Sequence, residues 1–321
     1  MIIRDLIKIY SDKLVEISDT PRLDVDMMLC KALGDVDRIY IHMNIDRELD
    51  KDKQEYFEKM FEDRLKGRPI AYILNNREFM GLDFHVEEGV LIPRPDTEIL
   101  VEEIINVYNK QGSVPVFVED SKDNEDSKDA SIVQEKERLS SNFKKDINEE
   151  IKIVEIGTGS GAITVSLAKY LESSTVLSLD ISDTALKIGE INAVNNGVID
   201  RVSFKKSNMF SAIEKEEIKF DIVVSNPPYI RRADMDTLQK QVKDFEPHLA
   251  LDGGLDGLNF YRDITRESKK YLKHGGMLAY EVGYDQAEEV SSILKDEGFK
   301  KIYIKKDLQS IDRVVIGFNL W

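Results

Sequence analysis

Four consecutive residues, Asn226-Pro227-Pro228-Tyr229, combine an amide side chain, two prolines and an aromatic ring. They follow the apolar run 220–225, which predicts a buried strand. The prolines have no N–H to donate to a strand ladder, so the strand must end there. We predict a rigid loop in which the Asn226 oxygen and the Pro227 carbonyl accept hydrogen bonds from a planar NH2 group, while the Tyr229 ring covers its face. A rigid turn capped by Asn226 is the alternative.

A glycine-rich loop, Gly157-Thr158-Gly159-Ser160-Gly161, forms a second candidate site. It follows the apolar run 151–156 and precedes helical spacing of apolar residues over 162–170. A strand, a glycine loop and a helix in this order are typical of a cofactor site, because the glycines allow close backbone approach and the helix N-terminus offers free N–H groups. Gly157, Gly159 and Ala162 also fit the dinucleotide pattern G-x-G-x-x-A, so a nicotinamide cofactor also fits this loop.

Asp180 ends the next apolar run, 176–179, about twenty residues beyond the loop. A carboxylate there could accept hydrogen bonds from ribose hydroxyls, could cap the helix expected to begin near Ser182, or could do both. The Asn226 loop distinguishes between the cofactors, because a dehydrogenase needs no rigid amide-binding loop after its fourth strand. We therefore predict S-adenosylmethionine.

With the stretches around them, these motifs resemble the HemK/PrmC family, the release-factor glutamine methyltransferases, over nearly the whole chain. The Asn-Pro-Pro-Tyr motif is shared with adenine-N6 and guanine-N2 methyltransferases, so it is only moderately specific. Stretches 91–98 (LIPRPDTE) and 246–258 (EPHLALDGGLDGL) are together highly specific to the family. The other stretches that carry the resemblance are 21–24 (PRLD), 64–73 (RLKGRPIAYI) and 312–315 (DRVV).

The resemblance implies a class I S-adenosylmethionine-dependent methyltransferase, an α/β protein with a Rossmann-like, seven-stranded, mainly parallel sheet and a small N-terminal helical bundle. The implied reaction transfers a methyl group to the N5 amide nitrogen of the glutamine in the Gly-Gly-Gln motif of a peptide chain release factor. Catalysis is expected from Asn226, Pro227 and Tyr229, and substrate binding from these residues and Pro228. The expected cofactor-binding residues are Gly157, Thr158, Gly159, Ser160, Gly161, Asp180, Asn208, Met209 and Asn226.

Two other functions remain open at this point. The same loop could hold a flipped base in a nucleic-acid methyltransferase that acts on an exocyclic amine. Such an enzyme needs a basic groove or a target-recognition domain, and the net charge of −16 argues against a strong grip on phosphates. A binding module that keeps the cofactor fold without turnover is the third hypothesis, and the intact Asn226 speaks against it.

Several further residues have alternative roles. Asn208 stands where the family usually has an acid, although its oxygen can still accept from the adenine N6 amine. Met209 would lie against the adenine face or pack in the core. Arg94 and Glu98 either shape the mouth of the cofactor site or cap a helix and pair locally. Glu281 ends an apolar strand, and we expect it to be structural.

The order of predicted elements divides the chain into three parts. Residues 1–73 show helical spacing of apolar residues, which predicts a helical bundle. Because the resemblance implies a release factor as substrate, we expect this bundle to recognise it. Residues 74–95 predict a β-hairpin linker, and residues 96–321 a catalytic domain that starts with a helix at 97–108. Its strands are expected near 151–156, 175–180, 201–205, 220–225, 276–283, 300–305 and 313–319. The last two are joined too closely for a crossover helix, so we expect them to pair antiparallel.

Within residues 110–149 we predict a solvated or disordered insertion, because 119–129 carries six acids, two bases and no apolar residue. Cys30 is the single cysteine and there are four scattered histidines, so we expect no disulfide and no metal site. The chain shows no membrane-spanning run and no signal peptide. We expect a cytoplasmic monomer that binds no nucleic acid directly.

Overall fold

The computed structural model describes residues 1–109 and 150–320, and its first part consists of helices. They are α1 (Ile3–Leu14), α2 (Pro21–Ala32), α3 (Arg38–Met43), α4 (Lys51–Leu65) and α5 (Ile70–Leu74). Apolar side chains at helical spacing meet in one core, where the Tyr10 ring packs edge-on against Phe57 at 5.0 Å and Phe61 at 4.6 Å. A buried ion pair of 2.7 Å between Asp24 and Arg64 joins α2 to α4. The predicted helical bundle is therefore present.

A β-hairpin follows the bundle. Its strands, β1 (Arg77–Phe79) and β2 (Leu82–Phe84), pair antiparallel. Met80 and Gly81 form the turn with positive φ angles of 53° and 69°, the geometry that matches the twist of hairpin strands. The phenylalanines that end both strands are buried in the core of the large sheet, so the hairpin attaches the bundle to that sheet.

The large sheet has seven strands among the described residues. They are β3 (Ile151–Ile156), β4 (Ser174–Asp180), β5 (Val202–Lys206), β6 (Phe220–Ser225), β7 (Leu272–Glu281), β8 (Lys300–Lys306) and β9 (Asp312–Phe318). Their order is β5-β4-β3-β6-β7-β9-β8, and all pairs are parallel except those of β9 with β7 and β8. This arrangement confirms the predicted Rossmann-like class I methyltransferase fold and the antiparallel final pair.

Helices cover both faces of the sheet. They are α6 (Pro95–Asn109), α7 (Ala162–Tyr170), α8 (Asp183–Asn195), α9 (Lys240–Lys243), α10 (Asn259–Ser268) and α11 (Ala287–Asp296). Short 3₁₀ turns occur at Ile199–Arg201, Ser211–Ile213, Arg232–Thr237 and His248–Ala250. One apolar core lies between the sheet and α6 and α7, and a second between the opposite face and α10 and α11. The strands thus hold the loops at their carboxyl ends in a rigid frame.

The observed elements differ from the predicted ones mainly at their ends. β7 begins at Leu272 rather than at 276. Gly275 has a φ of +81°, which is irregular for a strand, and the pairing with β6 shifts register between Phe220 and Ile222. The strand therefore continues through Gly275 instead of starting after it. The predicted insertion at 110–149 lies outside the described residues. Within the described residues, no helix is both long and apolar enough to cross a membrane.

Candidate active site

The two predicted motifs meet at the carboxyl edge of the sheet. β3 and β6 are parallel neighbours with Ile156 opposite Ser225, so the glycine loop after β3 lies beside the Asn226 loop after β6. A Cβ atom on Gly157 would lie 3.9 Å from the Asn226 backbone oxygen. The strand order reverses between β3 and β6, and ligands of open α/β sheets bind at such a switch point.

A cavity of about 200 Å³ lies at this edge. Most of the predicted cofactor residues line it, namely Gly157, Thr158, Gly159, Ser160, Asp180, Asn208, Met209 and Asn226. Pro227 and Pro228 also line it, whereas Gly161 and Tyr229 do not. The rest of the wall includes Val90 and Pro93 from the hairpin linker and Pro247 and Leu249 from the segment after α9. The cavity therefore unites parts of the chain that are far apart in sequence.

The glycine loop adopts a backbone that requires glycine. Gly157, Gly159 and Gly161 have φ angles of +91°, +54° and +80°, in the region that L side chains rarely adopt. Gly161 also approaches α8 so closely that a Cβ atom would lie 2.9 Å from the Cα of Gly189. Gly161 thus serves the packing of the loop on α8, while the other two glycines face the cavity.

Asp180 connects the glycine loop to the end of β4. One carboxylate oxygen accepts from the Gly159 N–H at 3.1 Å and the other from the Ser182 N–H at 2.8 Å. Ser182, not Asp180, caps α8, because its hydroxyl accepts from the Ala185 N–H. Asp180 is only partly buried at the cavity wall, and each oxygen has a second lone pair with which to accept a ligand hydroxyl.

Buried polar groups support the glycine loop from below. The Glu155 carboxylate accepts from the hydroxyls of Thr164 and Ser178, and Ser178 also shares a hydrogen bond of 2.8 Å with the Thr158 hydroxyl. Burial raises the pKa of Glu155 to about 8. The hydrogen bonds from the Thr164 and Ser178 hydroxyls and from the Thr164 backbone partly offset this rise. The side chain of Thr158 is thereby held beneath the loop, which leaves the loop backbone to contact a ligand.

Asn226 is anchored by its amide nitrogen. That nitrogen donates to the Thr97 hydroxyl at 3.3 Å, and Thr97 lies in the first turn of α6. The buried Glu281 at the end of β7 lies beside Asn226 on the neighbouring strand. Burial raises the pKa of Glu281 to about 7, while the Thr97 and Asn226 side chains lower it. Thr97 was not among the predicted site residues, although it lies within the family stretch 91–98. Its role depends on a contact across 129 residues, which no local pattern reveals.

Tyr229 occupies a different place from the other loop residues. Its ring packs against the core under α10 and α11, and burial raises the pKa of its hydroxyl. Its backbone oxygen accepts from the Gln286 side chain at 3.0 Å. Gly253 and Gly257 allow this close packing, since Cβ atoms there would lie 2.7 Å or less from Tyr229 backbone atoms. The structure does not bring the ring to the cavity wall, so its contact with a substrate amide stays a prediction.

Asn208 and Met209 follow β5 at the other side of the cavity. Asn208 is exposed, and the Met209 backbone, with φ +48°, accepts from the Ser207 hydroxyl at 2.6 Å. Met209 both lines the cavity and packs against the sheet core, which combines its two predicted roles. Asn208 is therefore free to accept a hydrogen bond from a ligand placed along this wall.

Arg94 and Glu98 make long-range contacts. Arg94 pairs with the buried Glu246 at 2.6 Å, and Glu246 also accepts from the Ile92 N–H at 3.4 Å. Glu98 accepts from the Met80 N–H at 2.7 Å and thereby holds the hairpin turn. The Arg94–Glu246 pair joins two segments whose adjacent residues, Pro93 and Pro247, line the cavity. A role for Arg94 in shaping the mouth stays a prediction. Within residues 1–109 and 150–320 no group of histidine, cysteine and acidic side chains could hold a metal ion.

Two parts of the chain match known family models, and most of the chain is similar to known proteins. The chain matches the family models "PrmC N-terminal domain" over residues 5–74 and "Methyltransferase small domain" over residues 135–259. It is 42% identical over 313 residues to a release factor glutamine methyltransferase of Clostridium acetobutylicum, which covers 97% of this chain and 96% of that relative. It is 36% identical over 295 residues to that of Clostridium botulinum, which covers 92% and 90%. A solved protein-(glutamine-N5) methyltransferase (release factor-specific) from Alicyclobacillus acidocaldarius is 26% identical over 74% of this chain and 100% of its own, with a TM-score of 0.39.

Proposed function

This chain belongs to the release factor glutamine methyltransferase family, the HemK/PrmC family, and we propose from that premise how its site works. The enzyme transfers a methyl group from S-adenosylmethionine to the N5 side-chain nitrogen of the glutamine in the Gly-Gly-Gln motif of a peptide chain release factor. The observation that carries the proposal is the cavity in which the glycine loop and the Asn226 loop face each other.

The cavity wall has groups that suit each part of the methyl donor. The backbone of Gly157 and Gly159 would hold the methionine part, Asp180 the ribose, and Asn208 with Met209 the adenine. Asp180 and Asn208 both have acceptor oxygens at the wall, and Gly157 and Gly159 have no side chain to block the approach of a ligand to their backbone. When bound, S-adenosylmethionine supplies a methyl group on a positively charged sulfur.

An amide nitrogen is a poor nucleophile, because its lone pair is delocalised into the carbonyl group. The protein must therefore hold the substrate NH2, aim its lone pair and exclude water. Asn226 supplies a side-chain oxygen at the cavity wall, and the backbone carbonyl of Pro227 supplies a second acceptor. Two N–H···O bonds from the same NH2 would fix its orientation and draw the nitrogen towards tetrahedral geometry.

The same two acceptors explain selection of glutamine over glutamate. A carboxylate has no donor, so both buried acceptors would be left unpaired, at a cost of about 1–3 kcal/mol for each. Nucleic-acid bases with an exocyclic NH2 would satisfy the same acceptors, but the net charge of −16 disfavours a phosphate-binding surface.

We further propose that the helical bundle binds the body of the release factor while the Asn226 loop receives the tip. The tip is small, so selection of one protein requires contacts far from the reacting atoms. The Tyr72 hydroxyl of α5 donates to the carbonyl of Val90, which lines the cavity, so the bundle is connected to the wall. The proposal places the enzyme in the cytoplasm, where translation occurs, as a monomer.

The proposed function is tested by incubating the protein with S-adenosylmethionine and an intact release factor, followed by mass spectrometry of the tip peptide. We expect the mass of one methyl group on the glutamine. A factor with alanine in place of that glutamine is the control for site selection. Methyl incorporation into ribosomal RNA or DNA, with none into the release factor, would refute the proposal and favour the nucleic-acid alternative.

A further inference from the structure

Asn226 belongs to a group of three polar side chains at the carboxyl edge of the sheet. β6 and β7 are parallel with Ser225 opposite Tyr280, so Asn226 and Glu281, each one residue further along, are neighbours. Thr97 lies above them in the first turn of α6, which packs on this face of the sheet. Asn226 and Thr97 line the cavity, whereas Glu281 does not. Glu281 can therefore influence a substrate only through the other two.

Glu281 is a buried carboxyl group with incomplete hydrogen bonding, which is unusual for a residue that only supports the fold. It is 2% exposed, and its Oε2 atom has no hydrogen-bond partner. Within residues 1–109 and 150–320, no lysine or arginine forms an ion pair with it, and the nearby Arg313 is already paired with Asp96 and Asp307. A buried carboxylate without a cation destabilises a fold. Its presence here indicates that the position needs a group that accepts hydrogen bonds.

The direction of the hydrogen bonds determines how Asn226 is oriented. Above about pH 7 Glu281 is ionised and can only accept, so the Thr97 hydroxyl can donate its single hydrogen to it. The Thr97 oxygen is then left to accept, and it accepts from the amide nitrogen of Asn226 at 3.3 Å. With its nitrogen turned towards Thr97 and Glu281, the Asn226 amide must turn its oxygen the other way, towards the cavity.

We propose that Glu281, acting through Thr97, is a positioning residue that holds the Asn226 amide with its oxygen towards the substrate. This inference rests on the proposed function, because it assigns the cause of the acceptor that a glutamine NH2 requires. A flipped amide would present an NH2 group to the substrate NH2, and two donors cannot pair. The flipped site would instead suit a carboxylate, so this contact sets the preference for glutamine over glutamate.

Variants at two positions test the proposal. Thr97→Val keeps the shape and removes the hydroxyl, Thr97→Ser keeps the hydroxyl, and Glu281→Ala removes the acceptor. Thr265→Val is the matched control, because it removes a buried hydroxyl 3.0 Å from the Tyr280 hydroxyl, outside the cavity wall. For each variant we would measure the single-turnover methylation rate of an intact release factor and the affinity for S-adenosylhomocysteine. The third measurement is the inhibition constant of the same factor with glutamate in place of the glutamine.

We expect Thr97→Val and Glu281→Ala to lower the rate about 10- to 100-fold. Affinity for S-adenosylhomocysteine should stay within about twofold of the wild type, as expected for independent interactions. Thr97→Ser should restore the rate, and Thr265→Val should lower the melting temperature without lowering the rate. The inhibition constant of the glutamate factor should be lower for the two slow variants than for the wild type.

Three results would overturn the inference while the wild type still methylates the factor. They are a wild-type rate for Thr97→Val, an equal loss for Thr97→Ser and Thr97→Val, and an unchanged preference between glutamine and glutamate in the slow variants. Absence of methylation by the wild type would instead overturn the proposed function, and with it the substrate on which this inference depends. The two failures are therefore distinguishable in one set of assays.

Discussion

Replacing Glu281 by glutamine should make the stability of the protein less dependent on pH. Burial raises the pKa of Glu281 from 4.5 to about 7, so the folded protein keeps a proton that the unfolded chain has already lost. The stabilisation from the protonated group is complete below about pH 4.5 and is lost as the pH rises to about 7. Glutamine is neutral throughout, so the variant does not undergo this loss.

The expected magnitude follows from the two pKa values. Each pH unit between them corresponds to about 1.4 kcal/mol. The interval from 4.5 to about 7 therefore amounts to about 3 kcal/mol, a large part of the stability of an ordinary domain. The free energy of unfolding of Glu281→Gln, relative to the wild type, should rise by about this amount between acidic and mildly alkaline solution.

Urea unfolding followed by circular dichroism between about pH 5 and pH 8 would measure this difference. Glu190→Gln, at an exposed position on α8, is the control and should follow the wild-type profile. A constant difference between Glu281→Gln and the wild type over this range would refute the reasoning, because Glu281 would then titrate alike in the folded and unfolded states. Subtracting the wild-type profile removes the contributions of other buried carboxylates that both proteins share, such as Glu155 and Glu246, whose pKa values burial also raises.

Three further predictions concern the loops and the bundle. Asn226→Ala should lower turnover about 10²- to 10³-fold, because it removes an acceptor aimed at the reacting nitrogen. The affinity for S-adenosylhomocysteine, measured by calorimetry, should change little. Equal losses of turnover and affinity would contradict this prediction. Gly161→Ala should lower the unfolding free energy by about 1–3 kcal/mol, since the added Cβ lies 2.9 Å from Gly189 at φ +80°. Gly159→Ala, with open space around its Cβ, should cost less, and equal urea midpoints would contradict the packing argument. Removing residues 1–65, which leaves α5 in place, should raise KM for whole release factor far more than for a tip peptide; an equal rise would mean that the bundle only stabilises the fold.

The sequence predicted most of the frame because the frame depends on local patterns. Apolar runs of strand length, separated by helical spacing, place all seven strands within a few residues of their observed positions. Prolines after β6 and glycines after β3 mark the two loops, since each residue type restricts or frees its own backbone. Parallel neighbours end at the same edge of a sheet, so the two loops had to meet once β3 and β6 paired.

The roles of Asp180 and Glu281 depend on contacts that the sequence does not show. The sequence left Asp180 with two roles, and the structure assigns the helix cap to Ser182 and the contact with the glycine loop to Asp180. Glu281 was expected to be structural, and it lies buried beside Asn226, where we propose that it positions the amide. In both cases the residue type was correctly noticed, and only the partner decided its role.

What the tertiary structure alone decided are the contacts between distant segments. The Arg94–Glu246 pair joins residues 152 apart, and the Thr97 hydroxyl accepts from the Asn226 amide across 129 residues. The Tyr229 ring lies in the core rather than at the cavity wall, because the loop with Gly253 and Gly257 packs against its backbone. A backbone preference acts within a few residues and can be read from them, whereas the partner of a polar side chain is set by the packing of elements that the chain order does not place together.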